Sequence, residues 1–304
     1  MGLRGWGWPA ALIPAAILVS GCGGQTIPQS AVTQTQARQA STGYFTYVSG
    51  GCDGVCVLAY PTGDLIASLK LKGTKEGACS DDAGNVFITN DTQVVEYAHG
   101  GTTPIATFSV PGDEASGCSV DPTTNNLAVV FNSYAIAVFA NESGSPTVYS
   151  SALDASYCGY DNAGNLFVSG YNLGKPAVSE LPNGQQTATI LSVNGKLGNP
   201  GQIQWDGRYM TYESRTKGSI RILRLKISGS TAMVVKTKQL ENIRAQAYQS
   251  WIYKDTILVP YGNGGANANN IGLWKYPRGS KVRTRYRRLG PALYGITVSV
   301  APSH

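Results

Sequence analysis

The sequence predicts an all-β fold: a six-bladed β-propeller of four-stranded blades, its ring closed by the C-terminal strand joining the N-terminal blade. Three observations predict it. The 304 residues include 37 Gly, 17 Tyr and 15 Pro but only 3 Met, with 14% charged, which suits short strands and tight turns better than helices. A strand-turn-strand segment recurs every 40 to 49 residues. The first and last parts of the repeating region supply complementary pieces of one blade.

Residues 1–22 read as an export signal. Arg4 adds to the charge of the start, Trp6 to Val19 is almost wholly apolar, and no acid occurs. The segment ends on Val19-Ser20-Gly21-Cys22, which resembles the lipobox of bacterial lipoproteins. That resemblance implies a lipidated Cys22 as the first mature residue and the membrane as a partner; a plain secretory signal with a nearby Cys is the alternative. Gly23 stands where an Asp would imply inner-membrane retention, so the resemblance implies the outer membrane. Residues 23–42 lack hydrophobic periodicity and read as a flexible tether, with an r.m.s. reach of about 25 Å. The propeller then occupies 43–304, and no later apolar run approaches a membrane span.

The repeat is clearest in Ala78 to Thr89, Cys118 to Val129 and Cys158 to Val168, each with a small or apolar stretch, an Asp, a Gly/Asn turn and an apolar strand. Weaker copies surround Asp206 and Asp255. The five aspartates, Asp81, Asp121, Asp161, Asp206 and Asp255, are separated by 40, 40, 45 and 49 residues. After the turn strand, Gln93–Tyr97 predicts a third strand and 105–110 a fourth. Tyr44 to Val48 matches a second strand with no inner strand before it; Tyr294 to Val298 matches an inner strand with nothing after it. Pairing them closes the ring and removes two exposed edges.

The Asp-x-x-Gly-Asn-x-Phe pattern in two blades and Tyr97-Ala-His-Gly-Gly-Thr-Thr-Pro104 resemble the NHL-repeat and related YVTN-like six-bladed propellers. The likeness spans about residues 44 to 300 and speaks for fold more than function, since such propellers include enzymes, binding platforms and structural modules.

Two histidines, His99 and His304, are too few for a multi-His zinc site or for most His-based acid–base constellations. The repeated aspartates suggest a carboxylate ring, but their turn context suits side chains that cap the local backbone. No motif carries the central metal ligands of the lactonase-like relatives, so no metal, cofactor or catalytic residue is assigned. Loss of Cys22 to lipid leaves five cysteines. Cys52 and Cys56 are expected to form a small hairpin disulfide, whereas Cys79, Cys118 and Cys158 are read as buried small hydrophobes because neighbouring inner strands would hold their Cα atoms apart. Tyr160, Trp205, Tyr248 and Trp251 suggest an aromatic rim for a neutral polar ligand, against ordinary packing between blades.

Charge is the sharpest signal. Residues 1–200 hold 7 Lys/Arg and 14 Asp/Glu, while 201–304 hold 17 and 4, so −7 and +13 sum to +6. Lys281, Arg283, Arg285 and Arg287 alternate along one predicted strand, with Arg288 beside them and Lys275 and Arg278 close by. This stripe suits polyanion binding, and equally an edge strand guarded by like charges. The expectation is a monomeric, lipid-anchored, non-catalytic binding or scaffold module at the cell envelope, contacting an anionic polymer or a protein through this sector. Export argues against nucleic acid as the partner. The alternatives are a metal-dependent lactonase-like hydrolase with a central site and a propeller that binds neutral glycans.

Overall fold

The computed structural model describes residues 43–73, 75–112, 114–131, 134–243, 248–261, 269–287, 289–290 and 292–302, and for residues 75, 283–285 and 287 the backbone alone. Cys22, the export signal, the tether and Arg288 lie outside them.

Six sheets form the ring. The first blade contains β1 (Tyr44–Ser49), β2 (Gly54–Tyr60) and β3 (Leu65–Lys70). The second is β4 (Lys75–Ser80), β5 (Val86–Asn90), β6 (Gln93–Tyr97) and β7 (Pro104–Ser109). The third is β8 (Ala115–Val120), β9 (Leu127–Phe131), β10 (Ala135–Phe139) and β11 (Thr147–Ser150). The fourth is β12 (Asp154–Tyr160), β13 (Leu166–Asn172), β14 (Lys175–Leu181) and β15 (Thr189–Ile190). The chain then crosses as β16 (Ser192–Asn194) to the outer edge of the fifth blade, made of β17 (Asn199–Trp205), β18 (Met210–Thr216), β19 (Ser219–Ser228) and β20 (Thr231–Gln239). This parallel β16–β20 pair gives that blade a fifth strand. The sixth blade is β21 (Trp251–Tyr253), β22 (Thr256–Tyr261), β23 (Asn270–Lys275) and β24 (Lys281–Arg287). Finally β25 (Ile296–Val300) becomes the inner strand of the first blade, pairing Val300 with Tyr44 and Ile296 with Val48. The C-terminal strand therefore closes the ring on the N-terminal blade.

Position in the blade explains composition. Second strands such as Val86–Asn90 and Leu127–Phe131 are buried along their whole length because neighbouring blades cover both faces, so they read as continuous apolar runs. Outer strands such as Pro104–Ser109 are mostly exposed and mix polar with apolar residues. Six hydrophobic clusters fill the six interfaces between blades. All lie within 43–302, so this segment holds its own core and its own closure.

The repeated aspartates shape the turns after the inner strands. Asp81 accepts the Asn85 N–H at 2.6 Å and Nδ2 at 2.8 Å, and Asp161 makes the same pair with Asn165, each at 2.9 Å. Asp121 takes the Thr123 N–H and the Thr123 and Thr124 hydroxyls. Asp206 takes the N–H groups of Arg208 and Tyr209. Gly84 and Gly164 follow at φ of +85° and +78°, a conformation glycine adopts without a Cβ clash. Asp255 departs from the pattern: it sits in a two-residue turn and faces Lys275.

Candidate functional site

At the ring axis the inner strands approach backbone to backbone. A Cβ on Gly77 would lie 2.2 Å from the Ser116 carbonyl oxygen, and one on Gly295 would lie 2.5 Å from the Gly77 carbonyl carbon. The fully buried Gln249 spans this level. Its Nε2 donates to the Ala78 carbonyl at 2.8 Å and to Gln202 Oε1 at 2.9 Å, while its Oε1 accepts the Ala78 N–H at 2.9 Å and the Ile296 N–H at 3.2 Å. Trp251 packs against both the core of blades two and three and that of blades six and one, so its indole helps to fill the axis.

The four aromatics expected on one rim are distributed along the molecule. Tyr248 pairs with Tyr294 at 4.9 Å where the inner strands begin. Tyr160 and Trp205 end β12 and β17 at the opposite end. Tyr160 is 9% exposed and borders a polar hollow between blades three and four, and Trp205 packs against the core of blades four and five. No single mouth collects them, because Tyr248 precedes an inner strand whereas Tyr160 and Trp205 end theirs.

One cysteine pairing departs from the sequence expectation. Cys52 and Cys56 are joined across the β1–β2 hairpin, with Cα atoms 5.2 Å apart. Cys79 and Cys118 are joined as well, between the inner strands of blades two and three, at a Cα separation of 5.7 Å. Gly77, which has no Cβ to meet Ser116 and Gly117, allows these strands to come that close, so the distance that argued against a bridge is not reached. Cys158 is free and buried; burial pushes its thiol up to about 12, and it faces the Gly117 and Ala128 carbonyl oxygens.

Near the start of the inner strands, Glu213 is 1% exposed and neither carboxylate oxygen makes a well-formed hydrogen bond. Burial raises its pKa, opposed by Arg215, the Ser250 hydroxyl and the N–H groups of Gln202 and Ser250. Arg215 lies 6.0 Å over the Tyr157 ring and donates to the Pro200 carbonyl. Sequence reading missed this pair; a charged Glu-x-Arg inside a second strand buried over most of its length is the signal that marks it. Among the described residues no group of three or more His, Cys, Asp or Glu is placed to hold a metal ion.

Four cations of the last third of the chain line a groove between blades five and six. Ile222, Leu240, Ile257 and Pro277 form an apolar floor, and Arg224, Lys236, Lys238 and Lys275 border this shallow groove, whose enclosed space is about 10 Å³. The register of β19 and β20 places Lys236 opposite Arg224 and Lys238 opposite Ile222. Like charges facing each other across a strand pair are unfavourable, so the sheet tolerates this only with counter-charge. Arg224 has one: its Nε lies 2.7 Å from Asp206 and 2.9 Å from the Tyr276 hydroxyl, and its guanidinium stacks 4.9 Å over the Tyr276 ring. Lys275 meets Asp255 at 2.8 Å in an exposed pair, which contributes little. Lys236 and Lys238 have no carboxylate partner among the described residues.

Further basic residues of blade six lie on β24 or in the turn before it. Arg278 is exposed in the β23–β24 turn, and the Lys281 ammonium lies 5.1 Å over Tyr261 and 5.5 Å over Trp274. Arg283, Arg285 and Arg287 belong to β24, the outermost strand of its blade, and β24 shifts register against β23 between Gly272 and Trp274. Their side chains, like all of Arg288, lie outside the described residues. Lys236 and Lys238 were not singled out from sequence, although their alternation in Val-Val-Lys-Thr-Lys-Gln matches that of the later stripe.

Comparison with solved structures shows the same architecture. A chain of a nidogen/laminin complex is similar over 86% of this chain and 100% of its own, at 14% identity and a TM-score of 0.69. A protein of unknown function from Bacteroides caccae is similar over 84% and 98%, at 12% identity and 0.62. Hydrazine synthase of Kuenenia stuttgartiensis is similar over 75% of each chain, at 12% identity and 0.54. No family model and no curated protein matches the sequence. At identities this low the likeness speaks for the fold alone: the protein is a six-bladed β-propeller.

Proposed function

We propose that the protein is an exported, lipid-anchored propeller of NHL-repeat type that acts as a non-catalytic binding module at the outer membrane, and that blades five and six are its contact surface for an anionic envelope polymer. The observation that carries this reading is the pair Lys236 and Lys238: two cations one strand repeat apart, beside Arg224, over an apolar floor and without a carboxylate partner among the described residues. Edge protection accounts for charges on β24 but not for cations gathered around a groove between two blades. Sulfate or phosphate groups spaced along a polymer would relieve this like-charge crowding through charge-assisted hydrogen bonds. The export signal and Cys22 support the location. That a similar fold occurs in a nidogen/laminin complex supports a role in assembly.

The test is retention of residues 43–304 on immobilised lipopolysaccharide, compared with the Lys236→Glu/Lys238→Glu variant. The reading predicts retention at moderate salt and an affinity loss of about tenfold or more in the variant. Equal retention of both proteins contradicts it.

A further inference from the structure

The N-terminal segment enters the ring at Tyr44, on the end where the inner strands finish and Val300 pairs with Tyr44. Around that entry stands a connected row of tyrosines and cations. Tyr44 is 38% exposed, with its ring 5.7 Å from that of Tyr253; Tyr60 meets Tyr253 edge-on at 5.6 Å. The exposed Lys254 ammonium lies 5.3 Å over Tyr44 and 5.1 Å over Tyr253. The row continues toward blade five: the Tyr276 N–H donates to the Asp255 carbonyl, Arg224 lies over Tyr276 and Tyr209, and the exposed Arg208 lies 5.2 Å over Tyr209. The two acids within the row are matched, Asp206 by Arg224 and Asp255 by Lys275. Asp64, on the neighbouring β2–β3 turn, is exposed.

Amphipathic rings beside Lys and Arg are the chemistry of a membrane–water interface, where the ring sits among headgroups and the cation meets phosphate. We propose that this end of blades six, one and five docks on an anionic phospholipid surface. The proposal rests on the lipid-anchor reading for its choice of occupant. Twenty residues separate Cys22 from Gly43, and a coil of that length reaches about 25 Å. A lipidated Cys22 therefore brings the Tyr44 end of the ring to the bilayer rather than the Tyr294 end. Charge sets the tilt. On the same end, blades two to four carry the part-exposed Asp81, Glu142 and Asp161 and the exposed Asp82, which an anionic surface repels, so the ring rests on its tyrosine side.

The experiment is co-sedimentation of residues 43–304 with vesicles of equimolar phosphatidylglycerol and phosphatidylcholine. Tyr44→Ser/Tyr253→Ser/Lys254→Glu is compared with Lys175→Glu, a charge reversal on the opposite end. The expected result is binding by the parent and by Lys175→Glu, with about tenfold weaker partitioning of the triple variant. A separate Tyr253→Trp variant reports insertion independently: vesicles should blue-shift its emission relative to the parent's. Equal binding of all variants, no binding by any, or an unshifted emission from the Tyr253→Trp variant overturns the proposal. Acyl labelling of the full chain with and without Cys22→Ser tests the anchor separately. A labelled anchor without vesicle binding removes the docking face alone, and vesicle binding without labelling removes the anchor alone.

Discussion

Gln249 and Ala78, 171 residues apart in sequence, are joined by two hydrogen bonds across the inside of the ring: the Gln249 amide gives Nε2–H to the Ala78 carbonyl and takes the Ala78 N–H on Oε1. The side chain behaves as a short piece of strand, completing backbone bonds that the converging inner strands cannot make to each other. It also satisfies Gln202 and Ile296, so four polar groups on three residues depend on one amide. Gln249→Leu should then destabilise the propeller by roughly 2 to 4 kcal/mol, because it leaves several buried polar groups unpaired. Urea unfolding measures this directly; a change below about 0.5 kcal/mol would mean that the axis is held in some other way.

The cysteines give a second prediction. The Cys79–Cys118 bridge closes a loop of 39 residues in sequence separation, for which the chain-entropy argument expects up to about 4 kcal/mol. Reduction, or Cys79→Ala with Cys118→Ala, should lower the melting temperature by more than loss of the Cys52–Cys56 bridge, whose separation is 4. Cys158 should resist thiol reagents in the native protein, since its buried thiol with a pKa of about 12 supplies almost no thiolate at neutral pH, and should react once the chain unfolds. Rapid native labelling of Cys158 would contradict its burial.

Acidity should stabilise the protein. Burial, followed by the neighbouring carboxylates of Asp81 and Glu96, pushes Glu142 up to about 7. A carboxyl whose folded pKa lies above its unfolded one binds more protons when folded, so its favourable contribution is complete below the unfolded value and is lost as pH rises through the folded one. Glu76, Asp81, Glu96 and Glu180 shift in the same direction, each chiefly through burial. Stability should fall between about pH 4.5 and pH 7, and Glu142→Gln should remove about 1 kcal/mol of that fall once solvent screening of the half-buried carboxyl is allowed for. Thermal unfolding across this range checks the slope, and a rise in stability toward pH 7 would reverse the account.

The ring was legible because its signals are local. The separation of 40 between Asp81, Asp121 and Asp161 reports one blade, the turn after each Asp needs its carboxylate and often a glycine, and two incomplete ends could be matched as a missing pair of strands. The closeness of Cys79 and Cys118 was not legible, because it depends on how nearly glycine backbones meet at the axis rather than on either strand alone. Nor could sequence show that Tyr248 and Trp205 belong to opposite ends, since that follows from the direction of each inner strand in the assembled ring. Lys236 and Lys238 gain their meaning only from blade six, which supplies Ile257, Lys275 and Pro277 to the groove. The fifth strand β16 is three residues long and parallel, too short for any pattern to declare it.

The claim that blades five and six bind a polyanion is tested most directly by the salt dependence of that binding. The affinity of residues 43–304 for lipopolysaccharide should fall linearly with salt on logarithmic axes, and Lys236→Glu/Lys238→Glu should lower both the affinity and the steepness of the slope as contacts are lost. An affinity independent of salt, or a variant with the parent's slope, would contradict the claim.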